Sequence, residues 1–394
     1  MENKPQSILY QRNLHIIFSI TLIAVMGVTS ITPVFPLVKD VFDINARQVG
    51  LLITMFTLPG VLLSPVLGVL ADRYSRKKIL VPSLFLFAIA GTLCGFTRDF
   101  GWLVFFRFLQ GTGAAAIGAL NLTLIGDIYS GKERATAMGY NASVLSVGTA
   151  LYPAIGGGLA TLAWHYPFFL PVLALPVGLI VIFSLDNPEP TNNRSLKDYL
   201  KVVISSFRNR NVIGLFLLSF LTFVLLYGSF VSYFPLFLDE KFSAKPYEIG
   251  LILSFASVAT AIVSTQLGKL SSLFSYHKLL IMVNGIYILS MIIIPFTDNQ
   301  WWMLLPSGLF GMAQGINIPA VQNLLAGSAP LEYRAAFLSA NGTILRLGQT
   351  MGPVVIGAVY TGIGMDATFY AGALIALFMG VIVAFLLSKE IGRK

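Results

Sequence analysis

The sequence predicts an all-α integral membrane protein, with twelve transmembrane helices arranged as two parallel six-helix halves. Three observations predict it. Of 394 residues, 56% are hydrophobic and only 11% charged, against about 25% charged in a soluble domain. The charges fall between long charge-free stretches, each able to hold the roughly 20 residues that cross a bilayer. The chain also matches itself at an offset of 200 residues.

Stretches free of Asp, Glu, Lys and Arg run from Asn13 to Val38, Gln48 to Ala71, Ile79 to Thr97 and Asn211 to Leu238. Four more run from Ile249 to Gly268, Leu279 to Thr297, Asn299 to Leu331 and Ala367 to Ser388. Each holds one span. The segment Ala135 to Leu185 is twice as long, and Trp164-His165-Tyr166-Pro167 marks an interfacial turn within it. Phe100 to Gly126 and Ala335 to Met365 are span-sized, each interrupted by one arginine, Arg107 and Arg346. The total is twelve.

Counted by alternate loops, nineteen Lys and Arg lie on the side that carries both termini and five on the other. Basic loops stay in the cytoplasm, so both termini are expected there, in a plasma (inner) membrane protein. The net charge of +9 is then a topology signal, and no nucleic-acid partner is implied. Cys94 stands alone inside the third span, so no intramolecular disulfide exists. The segment Met1 to Arg12 is too short and polar for a cleaved signal, so the first span is expected to insert itself.

At the offset of 200, Gly50, Leu51, Gly68 and Lys78 fall on Gly250, Leu251, Gly268 and Lys278. The same register pairs Trp102 with Trp302, Gly111 with Gly311, Arg134 with Arg334, Gly148 with Gly348 and Pro153 with Pro353. Residues 1–185 therefore form the first half, 186–210 a cytoplasmic linker and 211–394 the second half. Within the linker, Leu196, Leu200, Val203, Ile204 and Phe207 recur at helical spacing beside Lys197, Lys201 and Arg208. That pattern predicts an amphipathic helix on the membrane surface.

Polar groups inside a bilayer must face protein or water, so their distribution separates inner from outer helices. Spans three, six and twelve hold no Asn, Gln or charge, and span nine only Asn284, which predicts that these four face lipid. The candidate cavity residues are Arg107, Gln110 and Asn121 in span four, Asn141 in span five and Gln266 in span eight. Gln314 and Asn317 in span ten and Arg346 and Gln349 in span eleven complete the set. Arg107, Gln110, Ala114, Gly118 and Asn121 share one helix face, Gln314 and Asn317 another, and Arg346, Gln349 and Pro353 a third. For any single amide the alternative is that it glues helices together. For the arginines it is snorkelling to an interface.

At the inner end of span two stands Gly68-Val69-Leu70-Ala71-Asp72-Arg73-Tyr74-Ser75-Arg76-Lys77, and span four carries Arg107-Phe108-Leu109-Gln110-Gly111-Thr112-Gly113. Both resemble signatures of the major facilitator superfamily, the first departing only at Ser75, where glycine is usual. In span five, Gly148-Thr149-Ala150-Leu151-Tyr152-Pro153-Ala154-Ile155-Gly156-Gly157 is similar to the antiporter signature of its twelve-span drug:proton antiporters, with Tyr152 in place of glycine. Span eleven repeats the theme as Gly348-Gln349-Thr350-Met351-Gly352-Pro353.

The resemblance covers the whole chain and implies the major facilitator fold, with a cytoplasmic latch of Gly68, Asp72, Arg73, Arg76 and Asp127 holding the halves shut. Physical chemistry adds that Asp72, at a helix C-terminus, needs a cation. Arg73, Arg76 or the start of span eleven near Arg334 could supply it, and Asp127 could pair with Arg76. Lys77 and Lys78 read as topology determinants. The glycines of span five permit close packing, and Pro153 a kink; control of leak between halves is what the resemblance implies for them.

No enzyme is indicated, because the three histidines have no metal spacing, no phosphate-binding loop exists and no paired carboxylates share a span. The expectation is a monomeric secondary transporter working by alternating access around a midplane site, its partners the bilayer and a small-molecule substrate. It needs no cofactor, and the proton gradient is its energy source. The function indicated is proton-coupled efflux of small amphipathic compounds. The alternatives are transport of a specific anionic or neutral metabolite, and, from another class, a transporter-like receptor or scaffold, against which intact signatures in both halves weigh. No span holds a carboxylate away from its ends, which leaves Asp127, Asp72 and Asp40 as candidate proton carriers.

Overall fold

The computed structural model describes residues 8–186, 209–328 and 334–388, without the side chains of residues 64, 65, 68, 69, 71–73 and 334–336. The amphipathic helix expected in the linker lies outside the described residues. Span one is Arg12–Thr29, continued through the 3-10 turn Thr32–Val34 into the short helix Phe35–Val41. Pro33 and Pro36 cannot donate backbone hydrogen bonds, so the charge-free stretch is broken into stacked pieces rather than one rod. Spans two to five are Ala46–Tyr74, Arg76–Phe96, Phe100–Ile128 and Gly131–Leu162. Span six is the 3-10 segment Tyr166–Leu173 with the helix Ala174–Ser184.

The second half repeats the plan. Span seven runs through Arg210–Leu225, a π-helical turn Leu226–Tyr233 and the helix Phe234–Phe242. Span eight is Pro246–Thr265, and after a break at Gln266 a short helix, Leu267–Leu273, follows. Spans nine to twelve are Tyr276–Phe296, Leu304–Ser328, Arg334–Ile363 and Met365–Leu386. Ten of the helices are apolar and long enough to cross a membrane on those criteria alone. Leu304–Ser328 and Arg334–Ile363, richer in polar side chains, complete the twelve.

Spans three, six, nine and twelve pack substantially only within their own halves. Their outer faces present Ile89, Phe183, Ile281 and Phe385 to the surroundings, as lipid-facing helices must. Between the halves, span two packs on span eleven and span five on span eight. Lipid tails are as apolar as leucine, so association in a bilayer rests on close packing of small residues. Gly111 of span four lies against the backbone of Phe56, and its repeat partner Gly311 lies against the backbone of Ala256. A methyl group at either would push span two from four, or span eight from ten.

One buried apolar cluster fills each half, and a third straddles them at the end away from the termini, where Phe35, Val38, Leu52 and Ile53 meet Tyr233, Leu236 and Ile356. Three hydrogen bonds between the halves lie toward that same end. Thr54 donates to the carbonyl of Thr350, Thr350 donates to Thr57, and the amide of Ala154 donates to Ser254. These contacts seal the boundary between the halves at the end away from the termini.

Candidate functional site

The seal is a swapped pair of repeat equivalents. A Cβ on Gly50 would lie 3.2 Å from Cβ of Pro353, and Gly250 packs its backbone against Pro153 and Ala154. Pro353 and Pro153 are repeat partners, as are Gly50 and Gly250, so one contact is made twice across a pseudo-twofold axis. The remaining glycines of the two motifs divide their work. Gly148 and Gly156 meet Val25 and Ser30 of span one, and Gly348 and Gly352 meet Phe220, Val224 and Gly228 of span seven. These hold each half together, whereas Gly157, packed on Pro246 and Tyr247 of span eight, belongs to the seal.

The stripe expected along span four does not act as one surface. Arg107 is fully buried. Its Nε donates to the carbonyl of Leu52 at 3.2 Å, and its Nη1 to the carbonyl of Gly27 at 2.9 Å and to Oε1 of Gln110 at 2.6 Å. Its guanidinium lies 4.3 Å from the ring centroid of Phe56. Arg107 therefore does not snorkel; it ties spans one, two and four together beneath the seal, with Nη2 left unpartnered. Gln110 is buried with it, against Gly91 of span three. Gln266 stands apart as well, exposed at the break in span eight and bonded to Thr265.

Asparagines of spans four, five, ten and eleven gather into two similar triads, in which only Asn141 and Asn341 are partners at the offset of 200. In the first half Nδ2 of Asn121 donates to Thr21 Oγ1 at 2.7 Å, and Thr21 donates to Oδ1 of Asn141. In the second, Nδ2 of Asn317 donates to Thr222 Oγ1 at 2.7 Å, with Asn341, the repeat partner of Asn141, alongside. A small cleft within the second half, open at its mouth, is lined there by Ser219, Thr222, Asn317, Gln322 and Asn341 beside Phe223, Ile318, Val321 and Leu345. The Oδ1 atoms of Asn121, Asn317 and Asn341 and both polar atoms of Gln314 have no partner, so they are acceptors and donors left for a ligand or water. Thr21 and Thr222 were invisible to a count of amides and charges, because a threonine in a helix normally satisfies itself on its own backbone.

Arg346 behaves unlike Arg107. It is half-buried, and its guanidinium crosses the boundary to lie against Gly60 of span two and Gly118 of span four. Gln349 lies one turn outward and is half-buried as well. At the basic end, Nε of Arg76 sits 2.9 Å from Oδ2 of Asp127, a pair within the first half. Gly68, Asp72 and Arg73 are among the residues whose side chains lie outside the description, so the rest of the latch is not placed.

The family model of the major facilitator superfamily matches residues 17–245 and 237–393, two overlapping matches that together span both halves. The chain belongs to the major facilitator superfamily. Its repeat, its parallel halves and its non-enzymatic, transporting character follow from that membership. Among curated relatives, Multidrug resistance protein 2 of Bacillus subtilis is 26% identical over 356 residues, covering 88% of each chain. The quinolone resistance protein NorA of Staphylococcus aureus is 24% identical over 379 residues, covering 93% of this chain and 94% of its own. Among solved structures, the nucleoside transporter NupG superposes with a TM-score of 0.80 at 14% identity, over 95% of this chain and 99% of its own. At that identity the superposition speaks for the major facilitator fold alone.

Proposed function

We propose that this facilitator exports small amphipathic compounds across the plasma membrane by alternating access, coupled to the proton gradient. The observation that carries the reading is a buried polar cluster in each of two pseudo-symmetric halves, with amide atoms left unpartnered, in a chain whose relatives are named for multidrug and quinolone resistance. With the basic side cytoplasmic, as the distribution of Lys and Arg implies, the seal described closes the outer side. Rocking would part Gly50 from Pro353 and Gly250 from Pro153 and bring the basic ends of spans two and eleven together. There Asp72, Arg73, Arg76 and Asp127 are the residues proposed to latch. The seal has few hydrogen bonds, so a few kcal/mol of differential binding is enough to shift the population.

The test is purified protein in liposomes with an imposed pH gradient and a panel of cationic, neutral and anionic compounds. Movement of several unrelated compounds, abolished when a protonophore collapses the gradient, supports the reading. Transport indifferent to the gradient removes proton coupling. A second reading, transport of one defined anionic or neutral metabolite, is favoured by Arg346, a cation with no carboxylate partner among the described residues. Saturable movement of a single compound class from the same panel decides for it.

A further inference from the structure

Arg346 is a cation near the middle of a membrane span, and among the described residues no carboxylate pairs with it. Such a charge persists only where something supplies compensating polarity, because a half-buried ion left unpaired is strongly destabilising. Tyr227, in the π-helical turn of span seven, packs its backbone on Gly352 of span eleven and interacts electrostatically with Arg346. π-Helical turns occur frequently at functional sites. The guanidinium rests on two glycines of the first half. A Cβ at Gly118 would lie 2.7 Å from Nη2, and one at Gly60 would lie 3.2 Å from Cδ and meet Nη1.

The repeat shows that this seat is built for the arginine. The positions equivalent to Arg346, Gly60 and Gly118 are Ser146, Thr260 and Ile318. Where the second half supplies a guanidinium, the first half supplies space; where the first half has a serine, the second has ordinary side chains. The phenol has a similar asymmetry, since the equivalent of Tyr227 is Gly27. The cation, its phenol and its glycine seat therefore occur together and on one side of the pseudo-twofold axis only.

We propose that Arg346 and Tyr227, seated on Gly60 and Gly118, form an anion-recognition site that holds the carboxylate of an amphipathic substrate. A planar guanidinium can grip both carboxylate oxygens, and a phenol can donate a further hydrogen bond to one of them. Spans two, four, seven and eleven all contribute, so a ligand bound there touches both halves that must rock. The inference rests on the transporter reading and narrows its substrate class to compounds with one carboxylate and an apolar body. The neutral amides of the two triads are then free to contact the remainder of the molecule.

The experiment measures binding to purified protein in lipid nanodiscs, using two matched fluorescent pairs. These are salicylate with salicylamide, and a quinolone carboxylic acid with its methyl ester. The wild type is expected to bind at least one acid tenfold or more tightly than its uncharged partner, and Arg346→Gln to lose that preference while leaving the amide or ester unchanged. Gly118→Ala keeps the charge but crowds Nη2, and should weaken the acid alone; it guards against misfolding of Arg346→Gln. No preference for the acid in the wild type with either pair overturns the site, as does a preference that survives in both variants. Transport assays on the same protein separate the two readings, because gradient-driven movement of the ester and amide without acid preference leaves the exporter standing and the anion site refuted.

Discussion

Three consecutive glycines in span five are predicted to give three different outcomes on replacement by alanine. At Gly157 the new methyl would lie 2.9 Å from the carbonyl carbon of Pro246 and 3.0 Å from Cα of Tyr247, both in the opposite half, and would also meet the carbonyl oxygen of Pro246. Overpacking a close contact of this kind costs about 1–3 kcal/mol. Because the contact exists only while the seal is shut, that cost falls on one conformation and shifts the population roughly 5- to 150-fold away from it. At Gly156 the methyl would meet Ser30 of the same half, 2.9 Å from its Cα. The penalty there is paid in every conformation and should appear as lost thermal stability. At Gly158 nothing lies within 4 Å, and Gly158→Ala should be silent or slightly stabilising, since alanine favours a helix by up to about 1 kcal/mol. The assay is pulsed electron spin resonance between labels at Arg98 and Asp298, exposed on the sealed side in opposite halves, with the single native Cys94 replaced. Gly157→Ala should add a longer distance population at near-normal melting temperature, Gly156→Ala should lower the melting temperature, and Gly158→Ala should do neither. If Gly157→Ala and Gly158→Ala give the same distance distribution, the inference that this face forms the seal is refuted.

The remaining predictions address topology, latch and polar core. Reporters fused at Met1, at Lys394 or between Asn192 and Lys197 should read cytoplasmic and one at Asp298 the opposite side, and any cytoplasmic fusion reading outside breaks the twelve-span orientation. Asp127→Asn removes a partly buried partner of Arg76 and should cost about 1 kcal/mol of stability, seen in detergent melts. Asp72→Asn should express normally but transport poorly, and wild-type transport by both variants would leave these residues as mere topology signals. Thr21→Val strands the amides of Asn121 and Asn141 and should lower stability by about 1 kcal/mol, with Thr222→Val close to it; unchanged melting in both would show that the triads carry no load.

The sequence by itself determined the number of spans, the placement of both termini on one side, the parallel halves and the four peripheral helices. Each of these depends on composition along the chain, because a bilayer admits apolar helices and expels charge whatever their neighbours are. It also paired Gly50 with Gly250 and Pro153 with Pro353 as equivalents, without showing that each glycine touches the other half's proline. Only the tertiary structure decided that Arg107 is held by backbone carbonyls while Arg346 crosses to the opposite half, although both stood out equally as single charges within spans. It alone brought Thr21 to Asn121 and Asn141, and Gly60 and Gly118 beneath a guanidinium. Spacing along a helix says which residues share a face, but not which neighbour that face meets. That choice is made by the rotation and close approach of the packed helices, set by contacts between residues far apart in the chain.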